Sequence, residues 1–396
     1  MIKIRTRHNL LYPLMFIIFN SSRKIVSIVM KNNFNLSGSI LLTFIMFFAD
    51  FISGLLVYIY HLKYLRRKRA TKFMGIELIQ APSEITPLDN DFKICLLLFF
   101  TSYLDFAEYI LSSYYIPYKF NKVSISLEWR LKSIIICASS IFSYFILNIP
   151  IFKHQKLSII TILFCLIIVI ITEMIEYYDK QNQSEGSMYI IFVLILFIIN
   201  QNFSSGFDVI EKYLLEVDHI NPFKLLMLEG LIGFILSLLF SIYQNPFEEI
   251  NKVKDKMPQK MPLLILFLIL FFFLSCGRNI YRITTNKLYS PTTKALSDYI
   301  YVPIFIIYYF IWENDFSAKD KKIYYYFIVN LIISFIVVFC SLLYNEFIIL
   351  YFCNLHYDTH YEVAIRAKKI ENKPFELSFN DNEESVGEST FSEIQD

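Results

Sequence analysis

Long apolar segments recur along the whole chain, and they restrict its fold more than any other feature of the sequence. Segments of about 20 apolar residues can cross a hydrocarbon core roughly 30 Å thick as helices. Of the 396 residues, 56% are apolar and only 18% are charged, whereas about 25% are charged in an average soluble domain. This composition argues against a soluble enzyme, a nucleic-acid-binding protein and a disordered scaffold. It predicts a polytopic membrane protein.

We predict ten membrane spans, at 9–29, 38–61, 94–116, 126–149, 157–178, 188–207, 223–244, 262–284, 292–312 and 325–348. The apolar runs are continuous rather than alternating, and backbone groups in hydrocarbon must be paired. The spans are therefore expected to be helices rather than barrel strands. Arg23 and Lys24 interrupt the first span, so either they line a polar cavity or this span is misplaced. The expected fold class is an all-α integral membrane protein with ten transmembrane helices.

Basic residues between the spans predict the orientation of the chain. The densest group follows the second span and consists of Lys63, Arg66, Arg67, Lys68, Arg69 and Lys72. Cytosolic loops of membrane proteins are enriched in lysine and arginine, so this group is expected to be cytosolic. With an even number of spans, both termini are then cytosolic as well. Residues 351–396 are polar and end acidic, which predicts a disordered cytosolic tail.

The ten spans divide into two sets of five, one in residues 1–180 and the other in residues 181–350. In both sets the fourth span begins with polar residues, at 126–133 in the first set and at 291–298 in the second. Since five is an odd number, the two sets would have opposite orientations in the membrane. The sequence therefore predicts two inverted five-helix repeats. This arrangement recurs among transporters, with the substrate site near the membrane midplane.

Charged residues inside the predicted spans are few, and they indicate a binding site. A charged group in hydrocarbon costs about 2.5–3.5 kcal/mol, so such residues usually face a cavity or a partner. Lys294 and Asp298 are one helical turn apart, with Tyr301 a further turn along. Glu128 and Lys132 have the same spacing in the fourth span. We expect Lys132 and Lys294 to attract an anionic substrate.

The predicted substrate-binding residues are Lys132, Lys294, Asp298, Asp105, Tyr301, Glu229 and Asn279. The carboxyl groups among them would orient the lysines or take up a coupled proton. Charged residues near span ends, at Arg130, Glu173 and Glu346, are interpreted instead as reaching the headgroups or joining helices. Gly230 and Gly233 indicate either close helix packing or a kink. The sequence has no catalytic constellation and no phosphate-binding glycine loop, so we expect neither enzymatic activity nor a metal or cofactor.

The segment from Asn279 to Lys294 resembles the eighth-to-ninth helix region of the drug/metabolite transporter superfamily. It is most similar to the F subgroup of solute carrier family 35, which has a Leu-Ser-Ala-Thr-Thr-Arg run with an aspartate four residues later. The matching residues are Ser290, Thr292, Thr293 and Asp298, with Lys294 in place of the arginine. Residues 229–234 resemble the Glu-Gly motif of the family's seventh helix. Family positions on the third and fourth helices are occupied by Asp105, Lys132 and Ser133.

This resemblance implies ten helices in two inverted halves, cytosolic termini and alternating access. Nucleotide-sugar transporters are similar in fold and exchange anionic substrates across Golgi or endoplasmic-reticulum membranes. We therefore expect a secondary transporter of a small, anionic organic solute in an endomembrane of the Golgi, endoplasmic reticulum, lysosome or vacuole. Its expected partners are this small molecule and the lipid bilayer, and we expect no nucleic-acid partner. The sequence does not decide whether the protein forms a homodimer. The two basic positions carry lysine instead of arginine, and Ser133 stands in place of a glycine. Because of these differences, the resemblance does not identify the substrate.

Two other functions remain as alternatives on sequence grounds. A non-transporting membrane scaffold would recruit partners through the basic loop or the acidic tail. A channel would need polar stripes through several spans, and only a few spans carry them.

Overall fold

The structure, a computed structural model, describes residues 2–4, 11–34, 40–73, 91–116, 125–180, 187–242, 248–313 and 321–351, and positions 355, 357, 359, 362 and 366. Within these residues nine helices are long and apolar enough to cross a membrane. The prediction of an α-helical, multi-pass integral membrane protein is therefore confirmed. Most side chains of the predicted basic group, and most of the predicted tail, lie outside the described residues.

The helices, numbered in chain order, are α1 (Leu11–Phe34), α2 (Ile40–Phe73), α3 (Asp91–Tyr109), α4 (Ile125–Leu131), α5 (Ile134–Leu147), α6 (Lys153–Lys180), α7 (Ser187–Glu216), α8 (Pro222–Ser241), α9 (Glu248–Lys256), α10 (Met261–Leu288), α11 (Pro291–Tyr299), α12 (Val302–Glu313) and α13 (Lys321–Tyr344). A π-helical turn at Ile110–Tyr115 continues α3, and a 3-10 turn at Pro258–Lys260 precedes α10.

Two short strands join the beginning and the end of the helical region. Strand β1 (Ile2–Ile4) pairs antiparallel with β2 (Ile348–Leu350), which follows α13. The start of α1 and the end of α13 are therefore held at the same face of the molecule. We call this face, which also carries the ends of α7 and α10, the strand face.

The predicted fourth and ninth spans are each divided in the middle. The fourth consists of α4 and α5, with a turn at Lys132 and Ser133, and the ninth consists of α11 and α12, with a turn at Ile300 and Tyr301. Pro303 explains the second break, because proline has no N–H group and its ring excludes a helical carbonyl four residues earlier. At the first break, hydrogen bonds between residues three apart tighten the turn.

Helix starts follow from capping residues in the sequence. The side chain of Asn221 accepts hydrogen bonds from the N–H groups of Phe223 and Lys224 at 3.0 and 3.3 Å, with Pro222 in the first helical position. The Ser290 hydroxyl likewise accepts from the N–H of Thr293 at 3.2 Å. Both arrangements satisfy N–H groups that a helix start leaves without partners. The predicted interruption between the eighth and ninth spans is thereby confirmed.

Glycines bring α2 and α8 into backbone contact. A Cβ atom at Gly230 would lie 2.3 Å from the backbone nitrogen of Phe51, and one at Gly54 would lie 2.5 Å from that of Met227. A Cβ at Gly233 would overlap the Phe47 ring at 2.2 Å. Because a Cβ at any of these glycines would overlap the facing helix, the packing interpretation of Gly230 and Gly233 is confirmed, and α8 runs unbroken from Pro222 to Ser241.

The outer surfaces of the helices are apolar, as a lipid environment requires. The side of α6 that faces away from the protein carries the exposed side chains of Ile160, Phe164, Ile167 and Ile171. The other side of α6 packs against α13. In water, a continuous surface of this kind would favour aggregation, whereas hydrocarbon accommodates it without cost.

Candidate functional site

A cavity with a volume of about 70 Å³ lies among α1, α2, α3, α4, α7, α10 and α11. Most ligand-binding pockets have volumes of about 300–1,000 Å³. The charged residues that line this cavity are Arg23, Lys24, Glu108, Glu128, Lys132, Arg278 and Asp298. This cavity is therefore smaller than most ligand-binding pockets, and its lining suits a charged ligand.

The two basic residues of α1 both belong to this cavity. Arg23 and Lys24 line it, and α1 continues through them without a break. Lys24 pairs with Glu128 at 3.2 Å, and their side chains are 26% and 21% exposed. This confirms one of the two alternatives for the first span, namely that Arg23 and Lys24 line a polar cavity. The Lys24–Glu128 pair lies in a partly open part of the protein.

The breaks of the fourth and ninth spans meet beside the cavity. Lys132 donates a hydrogen bond of 2.8 Å to the Tyr301 hydroxyl, and its ammonium group also lies 4.9 Å from the centre of the Tyr301 ring. The same ammonium group is 3.8 Å from the carboxylate of Asp298. Both breaks therefore present polar groups to each other inside the membrane region.

Asp298 links two cavity groups, Asn20 and Lys132, to a deeper lysine. Its Oδ1 accepts a hydrogen bond of 2.8 Å from the amide of Asn20, and its Oδ2 is 2.9 Å from Nζ of Lys294. Lys294 also pairs with Asp208 at 2.8 Å, and both are fully buried. The ammonium group of Lys294 thus has two carboxylate partners within the protein.

Buried ion pairs separate this cavity from the strand face. Arg282 lies 2.9 Å from Glu211 and 3.5 Å from Glu229, and the amide of Asn286 donates to Glu211 at 2.6 Å. Lys212 donates to the carbonyl oxygens of residues 286, 287 and 289 at 2.8, 3.0 and 2.6 Å. We call Asp208, Glu211, Lys212, Arg282 and Lys294 the inner layer.

The inner layer has a second cavity on its other side. This second cavity, with a volume of about 360 Å³, is lined by residues of the strand face, among them Glu216, Tyr289 and Asn345. Along α7, Ser204 lines the first cavity, Asp208 and Glu211 are paired within the layer, and Glu216 lines the second cavity. The layer therefore lies between the two cavities along α7.

The predicted site residues are close to each other but differ in their access to the cavity. Lys132 and Asp298 line it, Lys294 lies directly beneath Asp298 in the inner layer, and Tyr301 contacts it through Lys132. Three more are buried without lining it, namely Asp105, Glu229 and Asn279. Asn279 accepts a hydrogen bond of 2.9 Å from Arg278.

Three inner-layer residues of α7 are absent from the predicted site. The predicted sixth span ends at residue 207, but α7 continues to Glu216, so Asp208, Glu211 and Lys212 lie within a membrane helix. Two sequence signals point to this continuation. No proline follows until position 222, and the charges at 208, 212 and 216 recur at one-turn spacing.

The charged residues near span ends join neighbouring helices, which is one of the two roles that the sequence suggests for them. Arg130 of α4 forms an ion pair with Glu173 of α6. Glu346, after α13, lies 3.6 Å from His154 at the start of α6. These pairs hold the outer helices together and lie apart from the charged cavity.

Among the described residues, no group of three or more His, Cys, Asp or Glu side chains has the geometry of a metal site.

A comparison with protein-family models finds no family that matches the chain, and a comparison with curated protein sequences finds no match either.

Proposed function

We propose that this protein is a secondary transporter that moves a small organic anion across an internal membrane by alternating access. The observation that carries the proposal is the charged cavity enclosed by seven membrane helices. Each charge in hydrocarbon costs about 2.5–3.5 kcal/mol, and intramembrane ionisable groups generally mark substrate or ion pathways. A structural role alone gives no reason to concentrate seven charged side chains around one empty space.

The proposed architecture is ten spans in two inverted repeats, with α11 and α12 together forming the ninth span. Support comes from the helix packing, which keeps its pattern when each span number is raised by five. Thus α1 packs on α10 as α7 packs on α3, and α2 packs on α10 as α8 packs on α3. The contact between β1 and β2 requires an even number of crossings between them.

Alternating access needs a cavity that is closed at one face and can open at the other. The inner layer provides a closed barrier toward the strand face, because its ion pairs are buried. Toward the opposite face the cavity is bounded by the partly exposed Lys24–Glu128 pair. We propose that the two barriers open alternately, and that the breaks in the fourth and ninth spans serve as hinges.

The orientation proposed for the chain makes the strand face cytosolic. The basic group from Lys63 to Lys72 lies at the end of α2, on the side where α1 begins and α13 ends, and such groups stay in the cytosol. Both termini would then be cytosolic. The proposed location is an endomembrane of the Golgi, endoplasmic reticulum, lysosome or vacuole, by analogy with the family that the sequence resembles.

Uptake into proteoliposomes tests the proposal. Purified full-length protein is reconstituted, and uptake of labelled organic phosphates and dicarboxylates is measured against protein-free liposomes. Lys294→Ala breaks the buried pairs with Asp208 and Asp298, so we expect uptake to fall at least about tenfold, whereas Lys224→Ala, at an exposed lysine, leaves it unchanged. Unchanged uptake in Lys294→Ala would contradict the role of this lysine.

A truncated protein distinguishes transport from a scaffold function. A transporter retains uptake after removal of residues 367–396, because the cavity lies entirely within the described helices. If the intact protein takes up no anion above the level of empty liposomes, and the truncation instead abolishes binding of a partner protein, the scaffold alternative is correct.

A further inference from the structure

The buried basic residues of this protein fall into two classes, those with a carboxylate partner and those without one. Within the described membrane helices, a carboxylate partners Lys24, Arg130, Lys132, Lys212, Arg282 and Lys294. Arg23 and Arg278 have no carboxylate oxygen within 4.0 Å among the described residues. These two arginines line the same cavity.

Arg23 is held by neutral groups only. Its Nη1 lies 2.9 Å from the sulfur of Met46 and 3.3 Å from the Tyr109 hydroxyl, and its Nη2 lies 3.4 Å from the Asn20 side chain. The residue is 5% exposed, and its Nε makes no hydrogen bond. The rings of Tyr109 and Phe271 lie 5.8 and 5.9 Å from the guanidinium carbon. These contacts position the guanidinium without pairing it directly with a carboxylate.

Arg278 is in the same condition on the facing helix. Its Nη1 donates to the Asn279 side chain at 2.9 Å, it is 7% exposed, and its Nε makes no hydrogen bond. Helix α10, which carries Arg278, packs against α1, which carries Arg23. Two guanidinium groups with free donors therefore face one cavity from adjacent helices.

A buried cation without a counter-charge is unfavourable unless a ligand supplies the charge. Guanidinium groups present a planar fork of N–H donors that matches the oxygens of carboxylates and phosphates. By contrast, the lysines of the fourth and ninth spans already have their carboxylates, since Lys294 is paired with Asp208 and Asp298.

We infer that Arg23 and Arg278 together form the anion-binding subsite of the cavity, and that its ligand is an organic dianion with phosphate or carboxylate groups. The inference rests on the proposed function in so far as the dianion is the transported solute. Lys132, Lys294 and Asp298 then have a structural role, because they hold the interrupted helices in place around the ligand. Glu108, which also lines the cavity, is suited to accept a hydrogen bond from a hydroxyl or amino group of the same ligand.

Thermal melting of the purified full-length protein in detergent tests the subsite without measuring transport. Inorganic pyrophosphate and succinate serve as probes of the two anion chemistries, and sodium chloride at equal ionic strength is the salt control. We expect a saturable rise of the melting temperature with at least one probe and none with chloride. A response to pyrophosphate assigns phosphorylated solutes, and a response to succinate assigns dicarboxylates. The absence of a response to both probes would overturn the inference.

Substitutions locate the response. Arg23→Gln and Arg278→Gln are each expected to abolish the shift, whereas Arg366→Gln, at an arginine outside the membrane helices, keeps it. Should a glutamine variant not fold, Arg23→Lys and Arg278→Lys retain the charge and lose the fork, and the probe is then expected to bind at least about tenfold more weakly. An unchanged shift in both glutamine variants, or unchanged affinity in both lysine variants, would overturn the inference.

The subsite and the transport function can fail separately. If the shift depends on both arginines but proteoliposomes take up no anion, the subsite stands and the transport proposal is wrong. If uptake occurs and is unchanged in the variants of both arginines, the transport proposal stands and the subsite is wrong.

Discussion

Lys132 donates a hydrogen bond of 2.8 Å to the hydroxyl of Tyr301, and the two residues occupy the breaks between α4 and α5 and between α11 and α12. One break lies in the first half of the chain and the other in the second half. A helix interruption in hydrocarbon is tolerated only where protein or a polar cavity satisfies the freed groups. This contact therefore supports both interruptions and connects the two halves at the edge of the cavity.

Removal of the Tyr301 hydroxyl should destabilise the protein. Tyr301→Phe retains the ring and removes a hydrogen bond to a charged donor, which contributes about 1.5–3 kcal/mol. We expect a melting temperature several degrees below that of the wild type in detergent. Tyr299→Phe is the matched control, because Tyr299 is equally buried and donates no hydrogen bond among the contacts of the described residues. Equal melting temperatures for the two variants would show that the Lys132–Tyr301 contact does not stabilise the breaks.

Two glycine substitutions should have opposite effects on stability. At Gly230, an alanine Cβ would lie 2.3 Å from a backbone nitrogen of α2, and overpacking of this kind costs about 1–3 kcal/mol or more. At Gly206 the nearest atom would be the Leu104 side chain at 3.4 Å, so alanine fits and should stabilise α7 by about 0.5–1 kcal/mol. We expect Gly230→Ala to lower the folded yield in fluorescence-detected size exclusion, and Gly206→Ala to maintain or raise it. A normal yield for Gly230→Ala would indicate that α2 and α8 can separate.

Nine of the ten predicted spans correspond to described helices that are long and apolar enough to cross a membrane. The sequence was sufficient for these because apolar length and helix caps are local properties. The span from 262 to 284 corresponds closely to α10, and a break at Tyr289 and Ser290 separates it from α11. The end of α7 was not predictable on the same basis. Asp208, Glu211 and Lys212 appear in sequence as loop residues, since charges normally end a span. Their partners Arg282 and Lys294 lie more than seventy positions away, and only the folded helices bring them together.

In the candidate site too, the sequence predicts one part and not the other. The sequence identified the charged positions inside spans, including Arg23, Lys132 and Lys294, because a charge in an apolar run is conspicuous. It could not identify which bases would be neutralised by carboxylates of the protein. That depends on helix rotation and packing, which place Asp208 opposite Lys294 and leave Arg23 beside neutral groups.

Lys212 is expected to hold the end of α10 in place. Its ammonium group donates to three carbonyl oxygens around the end of that helix, which otherwise have no intrahelical donor. Lys212→Met should destabilise the protein by roughly 1–3 kcal/mol for each buried carbonyl left without a donor. Lys287→Met, at an exposed lysine in the same turn, is the control and should have little effect. The measurement is thermal melting in detergent, and equal melting temperatures for the two variants would contradict a capping role for Lys212.

Loosening the inner layer should change the face from which the cavity is reached. Arg282 pairs with Glu211 and Glu229 between the two cavities, so Glu211→Gln weakens this barrier by removing one charge partner. In a variant without native cysteines, Ser204→Cys places a thiol in the cavity wall. A membrane-impermeant maleimide applied at the strand face should label this thiol several-fold faster after Glu211→Gln. The control is Lys287→Gln, because the side chain of Lys287 is exposed near the strand face and forms no part of the paired layer. Equal labelling rates in both variants would mean that the inner layer is not the barrier toward the strand face.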